Sequence, residues 1–434
     1  MSSLSSLAPK GALTLRGRLV QWVGNPFQDG PESLLHHQDG LLHAVDGKIV
    51  HAGDAQRILA EHPELEPEPV HGILAPGFID AHLHLPQMRI LGAHGEQLLD
   101  WLERYTFPAE RSFEDPQVCA DSARLFVDAC LQRGVTTAAA FCTVHAGSVD
   151  ALFEAASARN MRMIAGKVLM DRNAPEFLRD SAQSGFDDSA ALMDRWHGVG
   201  RNAYAVTPRF APTSTPEQLE ASGALFQRKP GVYLQSHVAE NQAECAWVKE
   251  LFPDSESYLE VYERFGLLGR RALYGHGIYL QDRDLQRLSE SGAAIVHCPS
   301  SNLFLGSGLL NVERLVGHGH LALGSDIGAG THLSPMTTLS DAYKVSSMAG
   351  APLDAFKLWW LATAGGAEAL ELAGVVGNLV PGADADIVLL DGEISELHAH
   401  RLHHARSLEE ELFFLAACGE ADMVARTWVA GQEV

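Results

Sequence analysis

APGFIDAHLHL, residues 75–85, is the stretch from which the fold can be read. A Pro-Gly break precedes a short apolar run, and two histidines follow two positions apart, the period at which side chains of an extended strand return to one face. His82 and His84 therefore share a face, and Leu83 and Leu85 take the other. Comparable apolar runs recur at 134–143 (GVTTAAAFCT), 162–171 (RMIAGKVLMD), 203–210 (AYAVTPRF), 232–240 (VYLQSHVAE), 272–278 (ALYGHGI), 293–300 (AAIVHCPS) and 321–328 (LALGSDIG). Segments between them, such as 115–134 and 241–252, carry apolar residues at spacings of three and four with charges opposite, as outer helices do. Alternation of this kind predicts an α/β fold, a (β/α)8 TIM-type barrel, and puts His82 and His84 at the C-terminal rim of its first strand.

The two ends of the chain have a different texture. GALTLRGRLV (11–20) and DGLLHAVDGKIVHAGDA (39–55) read as short strands, the second as a hairpin turning at Asp46-Gly47. GNLVPGADADIVLLDG (377–392) and ADMVARTWVAG (421–431) repeat that glycine-bounded pattern. Residues 1–74 and 376–434 are expected to build one small composite β-sandwich domain, with residues 75–375 forming the barrel.

Composition narrows the function. The 434 residues are 46% hydrophobic and 20% charged, the balance of a globular protein, and carry a formal net charge of −23. That charge repels polyphosphate, and no basic patch offsets it, so neither nucleic acid nor an anionic membrane surface is an expected partner. The six cysteines form no CxxC pair and are read as reduced, with Cys298 packed in the seventh strand rather than acting as a nucleophile. The opening residues lack the pattern of a secretory leader, and no run is apolar enough to span a bilayer, so a cytoplasmic location is expected.

Spacing alone does not make the HxH pair a metal site, because His318-Gly319-His320 and His398-Ala399-His400 share it. His318 and His320 precede the apolar part of the eighth strand and fall at the barrel's opposite end, and the 398–404 cluster lies outside the barrel. What distinguishes His82 and His84 is company at other strand ends: His237 on the fifth, His276 on the sixth and Asp326 after the eighth. Imidazoles and a carboxylate suit a borderline ion such as Zn²⁺ or Fe²⁺ that keeps one position open for water.

The stretch 76–110, PGFIDAHLHLPQMRILGAHGEQLLDWLERYTFPAE, resembles the amidohydrolase superfamily in its PGFIDxHxH core. Its HLHLPQ and GEQLLDWLERYTFP strings resemble the guanine deaminase family within it, as do TPRFAPTST, SHVAEN, YGHGIYL, HCPSSNLFLGSGL and GSDIGAGT further on. The similarity runs through essentially the whole chain, with departures at Ala93-His94 and Ala239. It implies one divalent ion, zinc first and iron as the alternative, held by His82, His84, His237 and Asp326, with His276 beside the bound water. Binuclear relatives place a lysine at the end of the fourth strand, where this chain has Thr207-Pro208-Arg209-Phe210.

The implied activity is hydrolytic deamination of guanine to xanthine and ammonia, in purine catabolism. Asp326 would be metal ligand and base, His276 would hold the water, and Glu240 in SHVAEN would shuttle protons, as a glutamate that is not a ligand does in other base deaminases. Glu240 could equally be a charge at the N-terminus of its following helix. Arg209 offers a rigid fork of donors and Gln87 one donor and one acceptor, which suit the amide-like edge of guanine. The resemblance adds Phe210 as a pocket wall, sets His84, His237, Glu240 and Asp326 against the substrate, and implies a homodimer. Two rivals stay open: a related hydrolase acting on cytosine, a pterin, a triazine or 8-oxoguanine, and a catalytically dead scaffold that keeps the barrel.

Overall fold

The structure, a computed structural model, describes residues 11–94 and 97–434; the first ten residues and Gly95-Glu96 of the GEQLLDW string lie outside the described residues. All eight apolar runs form strands: Phe78–His84, Val135–Phe141, Arg162–Gly166, Asn202–Pro208, Tyr233–Val238, Ala272–His276, Ala294–His297 and His320–Leu323. They follow one another around the sheet in chain order, each parallel to the next. The third run is shorter than expected, because Lys167 interrupts it and Val168–Leu169 pairs separately with the fourth strand. Beyond the eighth strand, the Asp326 amide donates to the His82 carbonyl (2.8 Å) and the Ser325 amide to Asp80 Oδ1 (3.0 Å), joining last strand to first.

Side chains sort themselves into a barrel interior and an outer shell. Ile79, Ala81, Ala139, Ile164, Ala205, Leu273, Val296 and Ala322 pack together in one cluster. Phe78, Leu83 and Leu85 belong to the larger cluster formed with helix residues such as Phe126, Val127 and Leu152. Strict alternation would set Leu83 with Ile79 and Ala81, and the pairing explains why it does not. Asp80 faces Ala138 and Leu83 faces Ala140, so three steps on the first strand oppose two on the second. This bulge adds one residue and re-phases the strand, turning both His82 and His84 away from the helix layer.

The outer helices start where their caps are. Asp115 accepts from the Gln117 amide ahead of Pro116–Leu131, and Asn241 and Glu244 close a reciprocal capping box at the head of Gln242–Leu251.

Strands from both chain ends form a separate sheet of seven, in the order Gln432–Glu433, Val424–Val429, Ile387–Leu390, Glu68–Pro76, Leu13–Trp22, Leu34–Val45, Lys48–Asp54. Asp46 and Gly47 both take positive φ (50° and 82°) in the hairpin turn, as a tight Asp-Gly connection requires. Leu15, Leu19, Leu42, Leu74, Ile387 and Trp428 fill its core. Among the described residues no helix is long and apolar enough to cross a membrane.

Candidate active site

The nine residues put forward as ligands, proton carriers and base contacts come together at one rim of the barrel. A cavity is lined by His84, Gln87, Arg209, Phe210, His237, Glu240, His276 and Asp326, with Leu98, Trp101, Leu102, Leu305 and Ala329 as its apolar wall. His82 stands behind, its ring 4.7 Å from His237 and 5.5 Å from His276. Gly275 makes this approach possible, since a Cβ there would come within 2.6 Å of the His82 ring. His318 and His320 lie at the start of the eighth strand, and helix Glu396–Leu402 carries His398 and His400 outside the barrel.

Three imidazoles and a carboxylate converge with too few protons to satisfy one another. His84 Nε2 lies 3.2 Å from His237 Nε2 and 3.3 Å from Asp326 Oδ1; His82 Nε2, 3.6 Å from that oxygen, is buried with no hydrogen-bond partner. The Arg209 carbonyl accepts from His237 Nδ1 at 2.7 Å, which fixes the tautomer and leaves the Nε2 lone pair facing the cluster. Burial pushes His82 and His237 well below the ordinary histidine range, and His84 below it, so the rings are neutral. Burial works against the Asp326 carboxylate, yet the His84 hydrogen bond and the surrounding imidazoles hold it down at about 2. Neutral imidazole lone pairs aimed at an ionised carboxylate form a donor set for a divalent cation. Cys298 lies beside His82, His276 and Asp326, but burial pushes its thiol well above the usual range, which leaves it a poor ligand. Lys167, the lysine near this rim, is buried in an ion pair with Asp180.

Beside the cluster sit the groups suited to moving protons. Burial raises the Glu240 carboxyl to about 7. Its Oε1 accepts from the Ser307 hydroxyl (2.9 Å), and Oε2 lies 3.4 Å from His276 Nε2. Glu244, not Glu240, caps the following helix: its Oε2 accepts the amides of Glu240 (2.9 Å) and Asn241 (3.0 Å), and Tyr258 donates to Oε1 (2.7 Å). The carboxyl of Glu240 is thereby left for the cavity. His276 Nδ1 is held by Asn302 Oδ1 at 2.8 Å. Burial pulls this imidazole down, but Glu240 and Asp326 outweigh burial and hold it above its ordinary value. Ala239, His276 and Asp326 all have positive φ (49°, 74° and 49°), a conformation that costs on the order of 1–3 kcal/mol per non-glycine residue and collects at functional sites.

The remaining lining is polar and buried. Gln87 and Arg209 are both 3% exposed, and Gln87 Oε1 and the Trp101 indole N–H are buried without partners. Trp101 ends helix Leu98–Trp101, which runs on into a π-helical turn, Leu102–Thr106, of the kind that recurs beside functional sites. Sequence reasoning assigned no role to Trp101, Glu110, Glu244, Asn302 or Ser307, although each lies in or beside a string that carried the resemblance. A second cleft opens between the terminal sheet and the last helices. Its Arg18 is already paired with Glu411 (2.6 Å), and it lies far from this chemistry in the chain's architecture.

The chain matches the amidohydrolase family over residues 73–434. It is 43% identical over 419 residues to a guanine deaminase of Escherichia coli (strain K12), covering 96% of this chain and 95% of the relative. A probable guanine deaminase of Deinococcus radiodurans is 39% identical, at 96% and 97% coverage. Among solved structures, that of E. coli guanine deaminase superposes with a TM-score of 0.94 at 41% identity, covering 97% of this chain and 99% of that one. A guanine deaminase from C. acetobutylicum with guanine bound in its active site gives 0.89 at 26% identity, covering 98% and 100%. Fold and sequence agree, and the chain belongs to the amidohydrolase family, in its guanine deaminase branch.

Proposed function

We propose that this protein hydrolyses guanine to xanthine and ammonia with the help of one divalent cation, zinc in the first instance. The observation that carries this reading is the cavity's two-sided chemistry, in which a neutral imidazole cluster with an ionised carboxylate faces a wall of buried amide and guanidinium donors. Relatives similar along the whole chain are guanine deaminases, and one solved neighbour holds guanine in its active site.

His82, His84, His237 and Asp326 would hold the cation, which when bound supplies a Lewis acid able to make water nucleophilic near neutral pH. Asp326, ionised above about 2, can take a proton from the attacking water, and His276 can orient that water through its Nε2. Attack on the ring carbon needs a proton on the neighbouring ring nitrogen. Glu240, with its carboxyl at about 7, can be protonated at neutral pH and deliver it, then, as the carboxylate, collect the proton of the hydroxyl added to the ring carbon and pass that proton to departing ammonia as the carbonyl forms. Gln87 and Arg209 would read the O6 and N1 edge, and Phe210 would close one face of the pocket. Leaving those buried polar groups unpaired costs roughly 1–3 kcal/mol each, so bases without that edge should be rejected.

A substrate panel tests the reading. Ammonia release from guanine is expected to exceed that from cytosine and triazines, which lack that edge, by at least about tenfold in kcat/KM, and to exceed that from pterins and 8-oxoguanine, which keep it, by a smaller factor; xanthine is the expected product. A preference for any of the others would overturn the substrate assignment.

A further inference from the structure

The cavity's guanidinium is not alone. Glu110, on helix Phe107–Arg111, is fully buried (0% exposed), and one of its carboxylate oxygens accepts from Arg209 Nη1 at 2.6 Å. The Phe107 ring lies 5.8 Å from the same guanidinium. Arg209 lines the cavity and Glu110 does not. The acid therefore sits behind the arginine, fixing one end of the fork while the rest of it stays available to a ligand.

Charge gives that arrangement a purpose, provided the site handles guanine as proposed above. A guanidinium keeps its charge in proteins, so a lone Arg209 would place an uncompensated cation on the wall of a dry pocket. Guanine is neutral at physiological pH. Xanthine is not fully so, because the carbonyl that replaces the amine acidifies the ring N–H and makes the product partly anionic near neutrality. A naked arginine would grip that product more firmly than the substrate. Paired with Glu110, it presents hydrogen-bond donors without net charge.

We propose that Glu110 is a positioning and charge-balancing residue, which aims Arg209 at the carbonyl of a neutral purine and keeps the pocket from retaining its anionic product. Two variants separate these roles. Glu110→Gln keeps an acceptor oxygen and removes the charge, and Glu110→Asp keeps the charge and withdraws the anchor. Hypoxanthine, neutral with the same O6 and N1 edge, serves as reference inhibitor, and 2-aminopurine, which lacks O6, as reference substrate.

In Glu110→Gln, inhibition by xanthine is expected to strengthen roughly tenfold relative to hypoxanthine. In Glu110→Asp that ratio is expected to stay as in the unmodified protein, while KM for guanine rises roughly tenfold and 2-aminopurine is little affected. An unchanged xanthine-to-hypoxanthine ratio in Glu110→Gln overturns the charge-balancing role. Equal losses on guanine and 2-aminopurine in Glu110→Asp overturn the positioning role, and if Glu110→Gln does not accumulate as folded protein the xanthine-to-hypoxanthine ratio of Glu110→Ala, which also lacks the charge, tests the charge-balancing role in its place. Unmodified protein that releases no ammonia from guanine would instead defeat the functional reading on which this rests.

Discussion

Glu240 stands where burial and neighbouring charge oppose each other, and its carboxyl settles near neutrality. A residue poised there can both give and take a proton, and Ser307 and His276 hold it toward the cavity. Glu240→Gln keeps the shape and loses the exchangeable proton. It is expected to retain bound metal and lose about 10²- to 10⁴-fold in kcat for guanine, read from ammonia release beside elemental analysis. Loss of metal together with activity would assign Glu240 to the cluster instead. Arg209→Ala removes the proposed partner of O6, so it is expected to cost guanine at least about tenfold more in kcat/KM than 2-aminopurine. Equal losses on the two substrates would show that Arg209 does not read that edge. Glu110, its ion-pair partner, escaped sequence reasoning for a physical reason: the pair spans 99 positions of chain, and nothing local to TFPAE marks the acid as buried.

At the scale of strands and helices, the site depends on backbone detail more than on spacing. The eight strands could be read from the sequence because each is a short apolar run bounded by turn or helix signals. The bulge in Phe78–His84 could not, since every residue from Ala81 to Leu85 is apolar or histidine and no polar position betrays the change of phase. Nor does sequence reveal that Gly275 is empty space reserved for the His82 ring. Gly275 has no positive φ, so alanine suits its backbone and the clash falls on the imidazole alone. Gly275→Ala is therefore expected to keep its far-UV circular dichroism, lose on the order of 1–3 kcal/mol of stability, and bind less than one equivalent of metal. Full metal occupancy in that variant would show that His82 has room to move. The capping box of Asn241 and Glu244 was written in the sequence as Asn-x-x-Glu. Its consequence, the freeing of Glu240, needed the fold.

For the whole molecule, the barrel buries imidazoles that no cation site claims. Burial holds His297 at about 3 and His332 at about 4, against an ordinary value of 6.5. Both are neutral when folded and take up a proton when unfolded at mildly acidic pH. Their stability contribution is therefore complete above pH 6.5 and falls as pH drops toward their folded values. Between pH 7 and pH 5 each is expected to cost about 2 kcal/mol in urea unfolding of metal-free protein. His332→Gln should lessen that loss, and a slope unchanged by the substitution would contradict the assignment.

Fold and site meet in the claim that residues brought from the first, fifth and eighth strands hold one catalytic cation. Purified protein should carry about one equivalent of divalent metal, stop releasing xanthine and ammonia from guanine once a chelator removes it, and recover when one equivalent of Zn²⁺ is restored. Undiminished guanine hydrolysis by protein verified as metal-free would contradict it.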